Sequence, residues 1–238
     1  MCGRYALYGP KAFSRAEREY FEGLNAFTAS YNVAPTDFMP VARLIEGRPV
    51  LTPARWGLVP GWAKDEKSGV RAINARGETC TTSPLFKAAY RSGRRCLVPA
   101  SGFYEWRKHP GGKQPYFITS ADGGLLAFAG LWEEWRMADG KPLLTYTVIT
   151  GEPNDVVKPL HDRMPVILEP DDYDRWLKDP DPRELLKPCD NERVIAYPVS
   201  ARVGAPKNND ATLVEPIDEA PAEEPDLFAT RADNPRSD

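Results

Sequence analysis

Apolar residues recur along this chain in two rhythms, one helical and confined to short stretches, the other extended. Phe13, Tyr20, Phe21 and Leu24 fall on one face at helical spacing. Ser14-Arg15-Ala16-Glu17 beside them has the spacing of a capping box, so a first helix is predicted there. Ser83-Pro84 opens a second helix through Leu85, Phe86, Ala89 and Tyr90 to near Gly93, and Pro170 and Pro182 mark two short late ones. Elsewhere short runs rich in β-branched and aromatic residues predict strands at Tyr116–Thr119, Leu125–Trp132, Leu143–Ile149, Val166–Leu168 and Val194–Pro198. Asp122-Gly123-Gly124 and Asp139-Gly140 supply the positive φ angles of tight turns, so three of these strands are predicted to form an antiparallel meander. There is no regular βαβ alternation, no repeat and no phosphate-cradling glycine loop. The predicted class is α+β, a single domain whose largely antiparallel sheet curves into a pseudo-barrel with a few short helices.

With 238 residues, 42% of them hydrophobic, the chain can bury one sizeable core without dividing into two domains. Residues 1–217 are predicted to form that domain. The Pro-, Ala- and acid-rich segment 218–238 reads as a disordered tail. No apolar run approaches the roughly 18 residues of a membrane span, and the start lacks a signal-peptide pattern, which predicts a soluble, intracellular protein. Cys2, Cys80, Cys96 and Cys189 show no CxxC spacing and the only histidines are His109 and His161, so neither a metal centre nor a disulfide framework is expected. No other cofactor is expected.

The formal charge of −3 conceals an uneven distribution. Seven acids and two arginines lie in residues 218–238, which leaves 29 basic against 27 acidic residues for 1–217. Within Arg71–Lys108 eight basic residues face two acidic ones, a local surplus that would neutralise several phosphates of a nucleic acid.

The second residue is a cysteine, and methionine aminopeptidases remove Met1 when its neighbour is that small. An N-terminal cysteine carries an α-amine and a thiol on adjacent carbons, with ordinary pKa values of about 7.7–8.0 and about 8.5. Such a 1,2-aminothiol condenses with an aldehyde to an imine, and the sulfur then closes a five-membered thiazolidine. Taken alone, Cys2 reads equally well as a small buried hydrophobe.

Five separated segments share a high density of polar groups among glycine, proline and tryptophan. They are Cys2-Gly3-Arg4-Tyr5, Trp56-Gly57-Leu58-Val59-Pro60-Gly61-Trp62, Asn74-Ala75-Arg76-Gly77-Glu78-Thr79, Pro99-Ala100-Ser101-Gly102-Phe103-Tyr104-Glu105-Trp106 and His161-Asp162-Arg163-Met164-Pro165. If Glu105 points inward between Tyr104 and Trp106, its pKa rises and it becomes a proton shuttle; pointing outward, it is a surface acid.

In this order the five segments resemble the SRAP family of abasic-site processing proteins, over residues 2 to about 217. The resemblance implies that Cys2 forms a covalent thiazolidine with the ring-opened aldehyde of an abasic site in single-stranded DNA, shielding the lesion during the DNA damage response. It also implies an associated lyase activity and a proposed self-processing peptidase activity. Carried across, Cys2 is the nucleophile, Asn74 helps hold Cys2 and the sugar, and Glu105 and His161 are the acid/base residues. DNA contacts would come from Arg4 and Arg76 to phosphates and from Trp62 or Trp106 against bases. Arg43, Arg71, Arg91, Arg94 and Arg95 would extend the path. The partners implied are single-stranded DNA containing abasic sites and junctions between single and double strands, met by a cytoplasmic bacterial monomer with no membrane partner. One departure from the family pattern is Val203-Gly204-Ala205-Pro206-Lys207-Asn208-Asn209, where a Val-Asn pair is usual.

Two rivals remain at this level. Glutamine amidohydrolases of the N-terminal nucleophile class also begin Met-Cys-Gly, and a non-catalytic single-strand binder would make Cys2 incidental.

Overall fold

The capping box at Ser14 closes on both sides: the Ser14 N–H donates to Glu17 at 2.7 Å and the Glu17 N–H donates to the Ser14 hydroxyl at 3.2 Å. It opens helix α1 (Arg15–Phe21), which buries Tyr20 and Phe21. A computed structural model describes residues 2–9 and 14–218; Phe13 and residues 219–238 of the expected tail lie outside the described residues. The second helix is shorter than predicted. Ser83 starts a turn whose carbonyl accepts from Phe86 and Lys87, and regular helix α2 runs only from Lys87–Arg91. Pro170 opens a 3₁₀ turn that leads into α3 (Tyr173–Lys178), and a second 3₁₀ turn follows Pro182 at Arg183–Leu185.

The strands in chain order are β1 (Tyr5–Leu7), β2 (Ser30–Val33), β3 (Phe38–Ile45), β4 (Arg48–Trp56), β5 (Asn74–Arg76), β6 (Arg95–Ala100) and β7 (Gly102–His109). They continue with β8 (Gly112–Ser120), β9 (Leu126–Arg136), β10 (Pro142–Gly151), β11 (Met164–Pro165), β12 (Ile167–Leu168) and β13 (Val194–Pro198). Five of them close a ring, β10-β4-β3-β6-β9 and back to β10, in which only the β10–β4 contact is parallel. β5 and β11 add to β10, and β12 adds to β9. A separate open sheet has the order β13-β8-β7-β1-β2. The α+β class and the pseudo-barrel hold.

The three-strand meander does not form. Asp139-Gly140 does turn β9 into β10, with Gly140 at φ 82°, but Asp122-Gly123-Gly124 carries the chain from the open sheet to the ring. A positive φ at Gly123 reverses the chain without making its flanking strands partners, and β8 pairs instead with β7 through the turn after His109.

Ring closure requires Gly130, which sits where β9 meets both β6 and β10. A Cβ there would come within 2.8 Å of the Cys96 sulfur and 3.0 Å of the Thr147 carbonyl. The two sheets meet through aromatic rings. Tyr5 of β1 packs edge-on against Trp56 of β4 at 5.2 Å and against Phe128 of β9 at 6.2 Å, and its hydroxyl lies 2.7 Å from that of Tyr146 on β10. This fully buried seam sets where the start of the chain emerges from the open sheet and how it faces the ring.

The 203–209 segment that departs from the family pattern supports β2. Asn32 Nδ2 donates to the carbonyls of Val203, Ala205 and Asn208, and Asn209 Oδ1 accepts the Tyr31 N–H. Among the described residues no helix is long and apolar enough to cross a membrane.

Candidate functional site

β1 pairs antiparallel with β7 at Tyr5 and Phe103, so the chain upstream of Tyr5 runs beside Tyr104–Trp106. The Tyr104 N–H donating to the Arg4 carbonyl at 3.0 Å continues that pairing. Cys2 is thereby delivered to the neighbourhood of Glu105, fully buried, with its Sγ 3.7 Å from the Arg4 carbonyl.

Asn74 arrives from the other sheet. Gly57 and Gly69 lie in such close contact that a Cβ on Gly57 would meet the Gly69 carbonyl at 2.6 Å, and Gly57 has φ +117°. That contact locks segment 66–71 against the end of β4. The Trp56 indole then donates to the Ile73 carbonyl at 2.9 Å, and β5 follows, parallel to β10, with Asn74 opposite Val148. From this position Asn74 Nδ2 donates to the Cys2 carbonyl at 2.7 Å. Its Oδ1 is buried and has no hydrogen-bond partner among the described residues, which leaves an oriented acceptor beside Cys2.

Glu105 points inward. It is 2% exposed, and burial, with Asp162 adding to it, pushes its carboxyl up to about 7. Burial also pushes the Cys2 thiol up, and the neighbouring Glu105 pushes it further, so the thiol is held neutral.

His161 stands on the loop between β10 and β11, where its N–H closes a turn onto the Val157 carbonyl. The Arg163 N–H donates to His161 Nδ1 at 3.0 Å, while Asp162 Oδ1 lies 2.8 Å from the same nitrogen. Burial lowers the imidazole pKa, which favours the neutral ring, and in that ring the Arg163 donor leaves the hydrogen on Nε2. The fold therefore brings Cys2 and Asn74 into hydrogen-bond contact near Glu105, while His161 lies beside Asp162, whose charge adds to the rise in the Glu105 pKa.

The expected DNA-contacting side chains divide. Arg76 is exposed at the end of β5, and Trp62 is 65% exposed on the loop after β4. Trp106 is half-buried against the cluster of Ala6, Tyr104 and Phe117. Arg4 is half-buried, and burial lowers its pKa. Two residues of the extended path are occupied elsewhere. Arg95 is 4% exposed and donates to the carbonyls of Trp176 and Asp179, and Arg94 pairs with Glu133 at 2.8 Å. Arg43 lies over the Trp132 ring at 4.6 Å.

Sequence reasoning passed over Arg163 and Glu78, although both lie inside the quoted segments. Their side chains form a bidentate pair across 85 positions, and Arg163 Nη2 also donates to the Thr150 carbonyl. The one available signal was an acid and a base inside two otherwise polar motifs. All four cysteines are free, and among the described residues no cluster of three potential metal ligands occurs.

Comparison with known proteins bears on this arrangement. The chain is 41% identical over 223 residues to the abasic site processing protein YoqW of Bacillus subtilis (strain 168), covering 90% of this chain and 99% of that protein. It is 34% identical over 197 residues to the abasic site processing protein HMCES of Gallus gallus, covering 71% of this chain and 58% of that one. A crystal structure of a protein from Bacteroides thetaiotaomicron matches the fold with a TM-score of 0.77 at 26% identity, covering 91% of this chain and all of that one. Residues 1–206 match the family described as SOS response associated peptidase (SRAP), and the chain belongs to that family.

Proposed function

We propose that this protein processes abasic sites in DNA by capturing them covalently at Cys2. The observation that carries the reading is the Asn74 hydrogen bond to the Cys2 carbonyl beside a buried carboxyl whose pKa lies near 7. The names of the relatives support abasic-site processing as the activity and damaged DNA as the partner.

The chemistry begins with removal of Met1, which exposes the α-amine of Cys2. A proton passes from the C1 hydroxyl of the closed sugar to its ring oxygen, and the aldehyde opens. Glu105 suits that transfer, because a group with pKa near 7 both gives and takes a proton at neutral pH. The amine attacks first, since the thiol is held neutral. The carbinolamine takes a proton and loses water to give an iminium. The thiol then gives up its proton as sulfur bonds to the same carbon, closing the thiazolidine. Aldehyde and aminothiol become thiazolidine and one water, with no oxidant or cofactor required. Asn74 orients the Cys2 backbone and His161 is the second proton carrier.

Single-stranded DNA is the proposed substrate form, with Arg4 and Arg76 on phosphates and Trp62 and Trp106 on base faces. The reading assigns the chemistry to residues 1–217 of a monomer and leaves the acidic segment 218–238 outside the site. Lyase cleavage through the same imine is a side path, and self-removal of Met1 is an alternative to an aminopeptidase.

The test is to incubate the purified protein with a single-stranded oligonucleotide carrying one abasic site and boil it in SDS. A slower band that Cys2→Ala lacks is the expected result. No band, from protein whose intact mass confirms loss of Met1, overturns the reading and turns attention to glutamine hydrolysis. Equal DNA retention by Cys2→Ala would favour a non-catalytic binder.

A further inference from the structure

Nδ1 of His161 has two competing neighbours. The Arg163 N–H at 3.0 Å is aimed at its lone pair and stabilises the neutral ring with hydrogen on Nε2. The Asp162 carboxylate at 2.8 Å would instead accept a hydrogen from that same nitrogen. Only one of the two can be satisfied at a time. Asp162 is exposed and its side chain has freedom to turn away, whereas the Arg163 guanidinium is held by Glu78 and Thr150. One guanidinium nitrogen donates to Glu78 Oε1 and the other to Oε2 at 2.9 Å. The second also reaches the Thr150 carbonyl, which accepts the Gly77 N–H at 2.9 Å as well. Thr150 in turn lies opposite Arg76 of β5 on one edge of β10 and Pro165 of β11 on the other. A single salt bridge thus ties the turn that follows the Asn74 strand to the loop that carries His161.

We propose that Glu78 is a positioning residue: by gripping the Arg163 guanidinium it holds the Arg163 backbone N–H on Nδ1 of His161, and so fixes which ring nitrogen carries the hydrogen. The bidentate fork is what permits this, since two parallel donors fix the plane and direction of the arginine where a point charge would not. Arg163 also holds the Glu78 carboxyl below its usual range, so the grip is charged throughout neutral pH.

The inference rests on His161 being an acid/base group of the proposed reaction, but its test does not depend on that reaction. The charged and titratable groups acting on the imidazole are the amino terminus, Asp162 beside it and Lys108 from β7, with the Arg163 backbone on Nδ1 and the Arg163 guanidinium paired to Glu78. In Glu78→Gln the grip loosens, Asp162 prevails at Nδ1, and His161 shifts toward the Nδ1–H form with a higher titration midpoint. Removal of a nearby carboxylate through space alone would move the midpoint the other way, which separates positioning from simple electrostatics.

The measurement is ¹⁵N NMR of imidazole-labelled full chain between pH 5 and 9. With only two histidines in the chain, His161→Gln assigns the spectrum and His109 serves as an internal control. The expected result is an Nε2–H tautomer in the native protein, and a raised midpoint with Nδ1–H character in Glu78→Gln. Arg163→Lys, which keeps the charge and loses the fork, should move His161 the same way. Adduct formation with an abasic oligonucleotide should slow about tenfold in Glu78→Gln, part of what a misplaced acid/base group forfeits. An unchanged or lowered His161 midpoint in both variants overturns the inference. A shifted tautomer with an unchanged adduct rate supports it while removing His161 from the chemistry.

Discussion

Asn74 Nδ2 donates a 2.7 Å hydrogen bond to the carbonyl of Cys2, joining residues 72 positions apart, one on β5 beside the ring and the other just upstream of β1 of the open sheet. The bond holds the backbone of the proposed reacting residue, not its thiol, so it sets the direction in which the amine and sulfur leave Cα. Replacing Asn74 with Ala removes the donor and strands a buried carbonyl, a loss of about 1–3 kcal/mol or roughly 5- to 150-fold in rate. We expect Asn74→Ala to slow adduct formation by that factor while affinity for undamaged single-stranded DNA stays within a few-fold. Single-turnover crosslinking and a fluorescence binding titration check the two halves separately.

Glu105 gives a pH signature. Its folded pKa of about 7 lies above the ordinary value of 4.5, so its contribution to stability is greatest in acid and is lost as pH rises through 7. Glu105→Gln removes the ionisation. The variant should therefore gain on the native protein by about 2.5 kcal/mol more at pH 8 than at pH 5, because about 1.36 kcal/mol is lost for each pH unit between the two pKa values and this window takes in most of that span. Urea unfolding at both pH values reads this directly. The same substitution should slow adduct formation and abolish any inflection near pH 7 in its rate, because the group that titrates there is gone.

These relations show which parts of the molecule could be read from the chain alone. The α1 boundary was legible because Ser14 and Glu17 satisfy each other within one turn, independently of tertiary structure. The strands at Leu143–Ile149 and Val194–Pro198 were legible for the same local reason. Strand partnership was not: Gly123 and Gly140 have similar positive φ, yet only Gly140 joins hydrogen-bonded neighbours. Cys2, Asn74, Glu105 and His161 were expected at the site because five polar motifs, taken together and in order, resemble the SRAP family; no one motif alone assigned them. The Glu78–Arg163 bridge was hidden because its two halves lie 85 positions apart. Formal charge misled at Arg95, since a count of basic residues does not reveal which guanidinium groups are buried inside the protein, nor that Arg94 is paired with Glu133.

Arg95 makes that last point testable. Its guanidinium is buried beneath α3, bonded to the Trp176 and Asp179 carbonyls and lying 5.7 Å from the centres of the Tyr90 and Trp176 rings. Arg95→Ala would orphan those carbonyls and leave a cavity. The expected cost is about 2–4 kcal/mol of stability, seen as a lower denaturation midpoint, with no change in DNA affinity or its salt dependence for the folded fraction. A reduced salt slope would put Arg95 back on the DNA path.

Trp62 should behave in the opposite manner. It is the most exposed large apolar side chain among those described, at 65%, and the Gly57–Gly69 contact fixes the start of the loop that carries it. A rigidly mounted, solvent-facing indole contributes little to folding, so Trp62→Ala should leave the thermal midpoint within a degree or two. If it stacks on a base, its loss costs about 1–3 kcal/mol of binding to single-stranded DNA, or roughly 5- to 150-fold in Kd. Because stacking involves no phosphate, that loss should be the same at low and high salt, whereas Arg76→Ala should weaken binding and reduce the salt slope by about one. Titrations of both variants at two salt concentrations separate the roles. An unchanged Kd for Trp62→Ala would assign base stacking to Trp106 alone.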